Sequence, residues 1–270
     1  MAKNDAPRDY RILPFAVLAL AVPLAVGSGR VEAQDMGGPN GDDLGSKWEF
    51  VLGAGAIYGP TFEGAEDYET QALPFFSVSY GDRLSVDFGG LSYDVYNAGP
   101  LSLSTKLGYS FGRKEDDDPH LAGLGDIEGG ASLGFGVDYE LGPALLFADL
   151  ERSFGDDEGL VGKFGVEYSQ PVGQVLLGAG VSATWADDNH MQSFFGVTGA
   201  QSAASGLAQY DAGAGFKRAD LELSATYMFA ENWMLRGQVS VGELLGDAAD
   251  SPIVQDTTQS SAAVFVAFKF

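Results

Sequence analysis

The chain has 270 residues, with 38 acidic against 15 basic side chains, a formal net charge of -23 and no cysteine. That acidity argues against a nucleic-acid partner, which needs Lys and Arg to replace phosphate counterions. The lack of cysteine excludes a disulfide scaffold, a Cys-ligated zinc site, a thiol nucleophile and a lipoprotein anchor.

Lys3, Arg8 and Arg11 precede an apolar run from Ile12 to Val26. Gly27-Ser28-Gly29 ends the run, and Val31-Glu32-Ala33 supplies small residues at the -3 and -1 positions of a cleavage site between Ala33 and Gln34. The run holds Pro14 and Pro23 and falls short of the ~20 residues of a spanning helix. The expected organisation is a cleaved signal at 1–33, a flexible periplasmic leader at 34–46 and one domain at 47–270. Cleavage removes four basic and three acidic side chains, leaving 11 against 35 and a net charge of -24.

Beyond the leader the chain alternates with period two. Leu101, Leu103, Thr105, Leu107, Tyr109 and Phe111 oppose Ser102, Ser104, Lys106, Gly108 and Ser110. Leu133, Phe135, Val137 and Tyr139 oppose Gly134, Gly136 and Asp138, and similar runs start at Val175, Leu221 and Trp233. A period of two over ~9–11 residues suits a tilted membrane strand. A soluble sandwich or lipocalin-like barrel also alternates. Three features favour the membrane: the non-apolar face is Gly, Ser, Thr and charge, aromatics gather at strand ends, and the last strand closes on Val266, Phe268 and Phe270. That terminal triplet reads as a sorting signal for the barrel-assembly machinery. Asp87, Asp138, Glu222 and Arg236 are expected to project charge into the lumen.

The fold class is therefore an all-β, transmembrane antiparallel barrel. Twelve segments carry the pattern: 48–58, 71–80, 83–96, 101–112, 127–139, 143–153, 160–169, 174–186, 208–217, 219–229, 233–243 and 260–270. Two choices stay open. Residues 83–96 fold back at Gly89-Gly90, and Met191 to Thr198 add a strand. Both chain ends in the periplasm require an even total, so both hold or neither does, giving roughly 14 or 12 strands. Loop lengths point to the larger number; segment clarity favours 12.

Acids concentrate between strands, at Glu63, Glu66, Asp67, Glu69, Glu115 to Asp118, Asp156 to Glu158, Asp187, Asp188, Asp247 and Asp250. They read as solvated loops, or as groups bridged by divalent cations to surrounding lipopolysaccharide. The two histidines, His120 and His190, each follow acids, as chance gives in so acidic a chain, and a rim hydrolase using such a His/Asp pair is the second alternative. Ser193, Ser202, Ser205 and Ser251 would be its candidate nucleophiles, but none sits in a Gly-x-Ser-x-Gly elbow. No cofactor motif is present: Gly53-x-Gly55 and Gly134-x-Gly136 precede no helix, and fit strands that bend or approach closely.

A set of segments carries a family resemblance. It comprises Gly53-Ala54-Gly55-Ala56-Ile57-Tyr58-Gly59-Pro60 with Phe62-Glu63-Gly64, Leu73-Pro74-Phe75-Phe76, Gly112-Arg113 with Asp116-Asp117-Asp118, and Leu121 to Ile127. Phe195-Gly196-Val197, Ala204 to Leu207, Leu245 to Ala248, Asp250 to Val254 and the final Phe270 follow in order. Together they resemble the MipA/OmpV family of outer-membrane proteins over nearly all of 48–270. The resemblance implies an integral outer-membrane barrel without catalysis. For the family's namesake it implies an envelope scaffold whose partners are a murein lytic transglycosylase and a penicillin-binding protein; other members resemble adhesins or salt-responsive surface antigens. The alternative from the residues alone is a narrow cation-preferring diffusion channel.

Overall fold

A computed structural model describes residues 48–81, 83–156 and 159–270. The signal and leader segments, with the cleavage pair Ala33 and Gln34, lie outside the described residues. Twelve antiparallel strands close into one barrel. They are β1 (Trp48–Pro60), β2 (Tyr68–Tyr80), β3 (Leu84–Asp87), β4 (Gly90–Ala98), β5 (Leu101–Ser110), β6 (Gly130–Leu141), β7 (Ala144–Phe154), β8 (Leu160–Val172), β9 (Val175–Ala186), β10 (Gly215–Ala230), β11 (Trp233–Leu244) and β12 (Thr258–Lys269). Each pairs with its sequence neighbour, and β12 closes on β1 from Val51↔Lys269 to Tyr58↔Ala262. Closure pairs most of the main-chain groups that lipid cannot satisfy, the stretch of β2 from Tyr68 to Phe76 being paired only with β1.

Alternation decides which face meets lipid. On β6, Leu133, Phe135 and Val137 are 40%, 55% and 43% exposed, while Ser132 between Ala131 and Leu133 is 1% exposed. A face this apolar and this exposed is unfavourable in water and suits hydrocarbon. Aromatic rings gather at two levels. At one end Trp48 meets Tyr80 at 4.7 Å and Trp233 meets Phe268 at 5.1 Å. At the other, Tyr58 stacks on Tyr68 at 5.3 Å and Tyr109 meets Phe111 at 5.2 Å. Such girdles mark the two membrane–water interfaces.

The strand partition departs from the favoured twelve segments in two places, and of the two choices linked by parity only the first holds. Residues 83–96 do fold back, with the reversal at Phe88-Gly89 between β3 and β4. Met191 to Thr198 is not a strand: helix α1 (Asp188–Phe195) occupies most of it, followed by α2 (Gly199–Ser205). Segments 208–217 and 219–229 are not two strands; the ladder starts at Gly215 and runs unbroken to Ala230 as β10. One gain and one loss keep the total at twelve. The helices form because Asp187 and Thr198 cap them. Asp187 accepts from the main chain of His190, and Thr198 builds a reciprocal capping box with Gln201. Gly206, at φ 83°, ends α2 in the left-handed conformation.

The long connections (61–67, 111–129, 155–159, 187–214, 245–257) all leave one end of the barrel, and turns of two or three residues link strands at the other. Outer-membrane barrels keep short turns periplasmic and long loops outside. No described helix is long and apolar enough to cross a membrane, which says nothing of strands.

Candidate functional site

The loops at the outer end pack into a folded cap. Phe62, Ala65, Leu121, Leu124, Val197 and Ile253 form one buried cluster. Ala186, Met191, Phe195, Ala212, Leu244 and Ala248 form a second. Tyr210 packs against both and donates its hydroxyl to Asp247 O at 3.0 Å. Phe62, Leu121, Met191, Phe195 and Ile253 have essentially no accessible surface, so the mouth is filled by a small core, at about 1.5–3 kcal/mol per large side chain.

Polar ties hold the cap loops to one another and, through Gln259 of β12, to the wall. Arg113 donates from Nη1 to Phe194 O at 2.8 Å, and Ser251 donates from Oγ to Phe195 O at 2.6 Å. Burial pushes the Arg113 guanidinium down to about 10, with Asp117 acting in the opposite sense. Gln259 is buried and accepts from Gly64 N–H while donating to Ala65 O.

The most concentrated chemistry sits beneath α1. The register of β10 against β9 slips between Phe216 and Arg218. This bulge turns two consecutive cations inward: Lys217 is 8% and Arg218 6% exposed. Lys217 Nζ donates to Glu63 Oε2 at 2.8 Å and lies 3.1 Å from His190 Nε2. An ammonium only donates, so that ring nitrogen accepts and the imidazole is neutral. Burial, then the neighbouring Lys217 charge, hold His190 well below its usual pKa. Burial alone would raise the Glu63 carboxyl, but Lys217 and then Arg218 outweigh it, and Glu63 lies below the ordinary carboxylate value. Arg218 Nε pairs with Asp220 Oδ1 at 2.6 Å.

The candidate His/Asp dyads do not form. The carboxylates before each histidine bind its main chain instead of its ring: Asp118 Oδ1 accepts from His120 N–H and Asp187 Oδ1 from His190 N–H. The His120 ring lies parallel to Phe62 at 6.4 Å, and the His190 ring stacks on Phe194 at 4.6 Å. Ser202, Ser205 and Ser251 donate to carbonyls of Leu207, Gln201 and Phe195. The arrangement is that of a structural cap.

The anticipated lumen residues do not come together as a site. Asp138, opposite Ser102 and Phe147, Glu222, opposite Gly180 and Ser240, and Arg236, opposite Thr226 and Phe265, occupy inward positions on different strands. Arg236 Nη1 donates to Thr226 Oγ1 at 3.3 Å. Asp87 is spent on its own turn, accepting from Gly89 N–H at 2.7 Å. Val266 and Phe270 point outward and exposed, with Phe268 packed against both Trp233 and Phe270. Sequence reasoning missed Glu63, Lys217 and Arg218 as a cluster. The available signal was two adjacent cations breaking the alternation that resumes at Leu221.

A closed barrel with two aromatic girdles, an apolar outer face and a capped outer mouth defines an integral protein of the bacterial outer membrane. Residues 52–270 match the family model described as MltA-interacting protein MipA. The chain belongs to that family. It is 26% identical over 262 residues to the MltA-interacting protein of Escherichia coli (strain K12), covering 94% of this chain and 98% of that one. It is 23% identical over 226 residues to the putative outer membrane protein YiaT of the same organism, covering 82% and 91%. Among solved structures, the outer membrane channel DcaP of Acinetobacter baumannii aligns with a TM-score of 0.38 and 10% identity over 83% of this chain and 96% of that one. The KdgM porin aligns with a TM-score of 0.40 and 8% identity over 82% and 99%.

Proposed function

We propose that the protein is a non-catalytic envelope interaction protein, anchored as a barrel and working through its periplasmic end with a murein lytic transglycosylase. The observation that carries this reading is the packed cap. Two apolar clusters pack across the outer mouth among the described residues, which suits an anchor better than a diffusion channel. Family membership supports the partner class, since a relative bears the name MltA-interacting protein. A penicillin-binding protein would join the same assembly through the transglycosylase.

The contact surface on this reading is the ring of tight turns, including Ala98-Gly99-Pro100, Leu141-Gly142-Pro143 and Ala230-Glu231-Asn232, together with the leader. Planar-bilayer recordings of the purified protein test the anchor against the channel. The expected trace has no ion-selective steps. Cation-selective steps from the intact protein would favour the inward acids Asp138 and Glu222 as a conduction path.

A further inference from the structure

We propose that the barrel wall has a lateral port between β2 and β5, and that it admits a single hydrocarbon chain of a surrounding lipid into the lumen. The port arises from the shortness of β3. This strand pairs with β2 only from Ser77↔Asp87 to Tyr80↔Leu84, and the hairpin reverses at Phe88-Gly89. On the far side β4 pairs with β5 only as far as Leu91↔Leu107. Among the described residues, Tyr68 to Phe76 of β2 have no strand partner on the β3 side. Two missing strands at a spacing of ~4.8 Å leave roughly 14 Å between the axes of β2 and β5.

The ladder parity shows what faces this gap. Thr61 N–H donates to Asp67 O, and Pro60↔Tyr68 continues the same register into β2. Odd-numbered β2 residues therefore exchange bonds with β1, and even-numbered ones turn their main chain towards the gap. Pro74 is even-numbered, so its nitrogen, which carries no hydrogen, lies in the middle of the free edge. Proline there blunts the edge against a partner strand. That argues against a second chain as the occupant.

Position names the occupant. The gap lies between the Tyr58–Tyr68 pair and the Trp48–Tyr80 pair, at the depth of hydrocarbon. Its roof is closed: Thr61 Oγ1 donates to Asp118 Oδ2 at 2.8 Å, and Leu121 is buried beside Phe62. Its lower lip is aromatic, with Phe76 and Phe88 at 5.0 Å. Inside, Ile57, Leu73 and Phe75 take inward positions, and Phe75 meets Phe265 at 6.2 Å. Phe75 also packs against the buried Val51, Met234 and Ala267, so the lumen is apolar on this side. Left in water, that apolar surface costs about 25 cal/mol per Å². An alkyl chain entering from the side removes that cost.

The chain has no cysteine, so single nitroxide labels can be placed directly. Leu73→Cys and Phe75→Cys report the lumen beside the port, Ala72→Cys the outer wall, and Asp149→Cys the lumen away from it. Each variant is reconstituted in vesicles of outer-membrane phospholipid and lipopolysaccharide, and heat-modifiable migration verifies its fold. Collision with dissolved oxygen is compared with collision with a water-soluble nickel chelate. The expected oxygen-to-nickel ratio at Leu73→Cys and Phe75→Cys matches Ala72→Cys and exceeds Asp149→Cys by about tenfold or more, since polar solutes are excluded from hydrocarbon. A nickel-dominated signal at both inner sites overturns the proposal in favour of a water-filled lumen. Low access for both agents at the inner sites also overturns it, in favour of a sealed wall; dipolar broadening at Ala72→Cys would then identify a second copy as the seal.

Discussion

Lys217 on β10 and Glu63 in the β1–β2 connection, 154 positions apart in the chain, meet at 2.8 Å beneath the cap. The pair joins opposite stretches of sequence at the barrel mouth, and both side chains are largely hidden, at 10% and 16% exposure. Removing one partner of a buried pair strands the other charge, at about 3–5 kcal/mol. Lys217→Met should therefore loosen the cap by that order. Hydrogen exchange at 187–214 should rise while heat-modifiable migration of the barrel stays unchanged. Unchanged protection there would remove the pair from the account.

Acid should loosen the same region. His190 is held neutral, well below the ordinary histidine value of 6.5, by burial and by Lys217. As pH falls below 6.5 the unfolded segment binds a proton that the native one refuses, so stability drops. Glu63 acts in the same direction. Its folded pKa is depressed below 4.5 by Lys217 and Arg218 despite burial, so its contribution is present above 4.5 and lost as pH falls through the folded value. Limited proteolysis over roughly pH 7 to 4, a range that spans the ordinary histidine and carboxylate values, should show cap cleavage rising as pH falls. His190→Gln should delay the onset, since glutamine takes up no proton.

Gly53 and Gly55 are where β1 runs hard against β12. A methyl on Gly53 would meet Val266 O and the Ala267 Cα and Cβ, the latter two at 2.9 Å. One on Gly55 would meet Val264 O and the Phe265 ring. Gly55→Leu should cost about 1–3 kcal/mol or more through overpacking at the closing seam. Folding yield in detergent and the denaturant midpoint would both fall. Gly237, where an added methyl would have nothing within 4 Å, is the matched control: Gly237→Ala should be tolerated.

The barrel was legible in the sequence because an exposed-apolar, inward-polar strand leaves its period in every residue. Leu133 to Tyr139 and Leu221 to Phe229 needed no neighbour to be read. The cap was not legible in the same way. Its core is assembled from single residues of separate connections, such as Phe62, Leu121, Met191 and Ile253, and no local period marks them. The helical stretch carried one local signal, Asp187 and Thr198 as caps ahead of short turns, which the alternating pattern on either side obscured. The ion cluster needed a bulge at Lys217, and a bulge is a register event between strands. The lateral gap depends on the length of a four-residue strand, below what periodicity resolves.

Phe270 is 65% exposed at the barrel's end, and its ring contacts Phe268 at 4.7 Å. A ring so exposed packs little against the rest of the finished barrel. If the terminal triplet Val266, Phe268 and Phe270 serves the assembly machinery, Phe270→Ala should lower the amount reaching the outer membrane in cells. The same variant refolded in detergent should keep its denaturant midpoint. A parallel loss in both settings would assign the residue to packing.

The central claim is that the barrel is an anchor whose partner surface is periplasmic. Photoactivatable side chains placed at Gly142 or Glu231, on the turn end, and at Gln201 or Asp250, on the cap, test it directly in intact envelopes. The account predicts crosslinks to a murein lytic transglycosylase from the turn-end positions and none from the cap. Capture of that enzyme from the cap alone, or from neither end while the purified barrel passes ions, would contradict it.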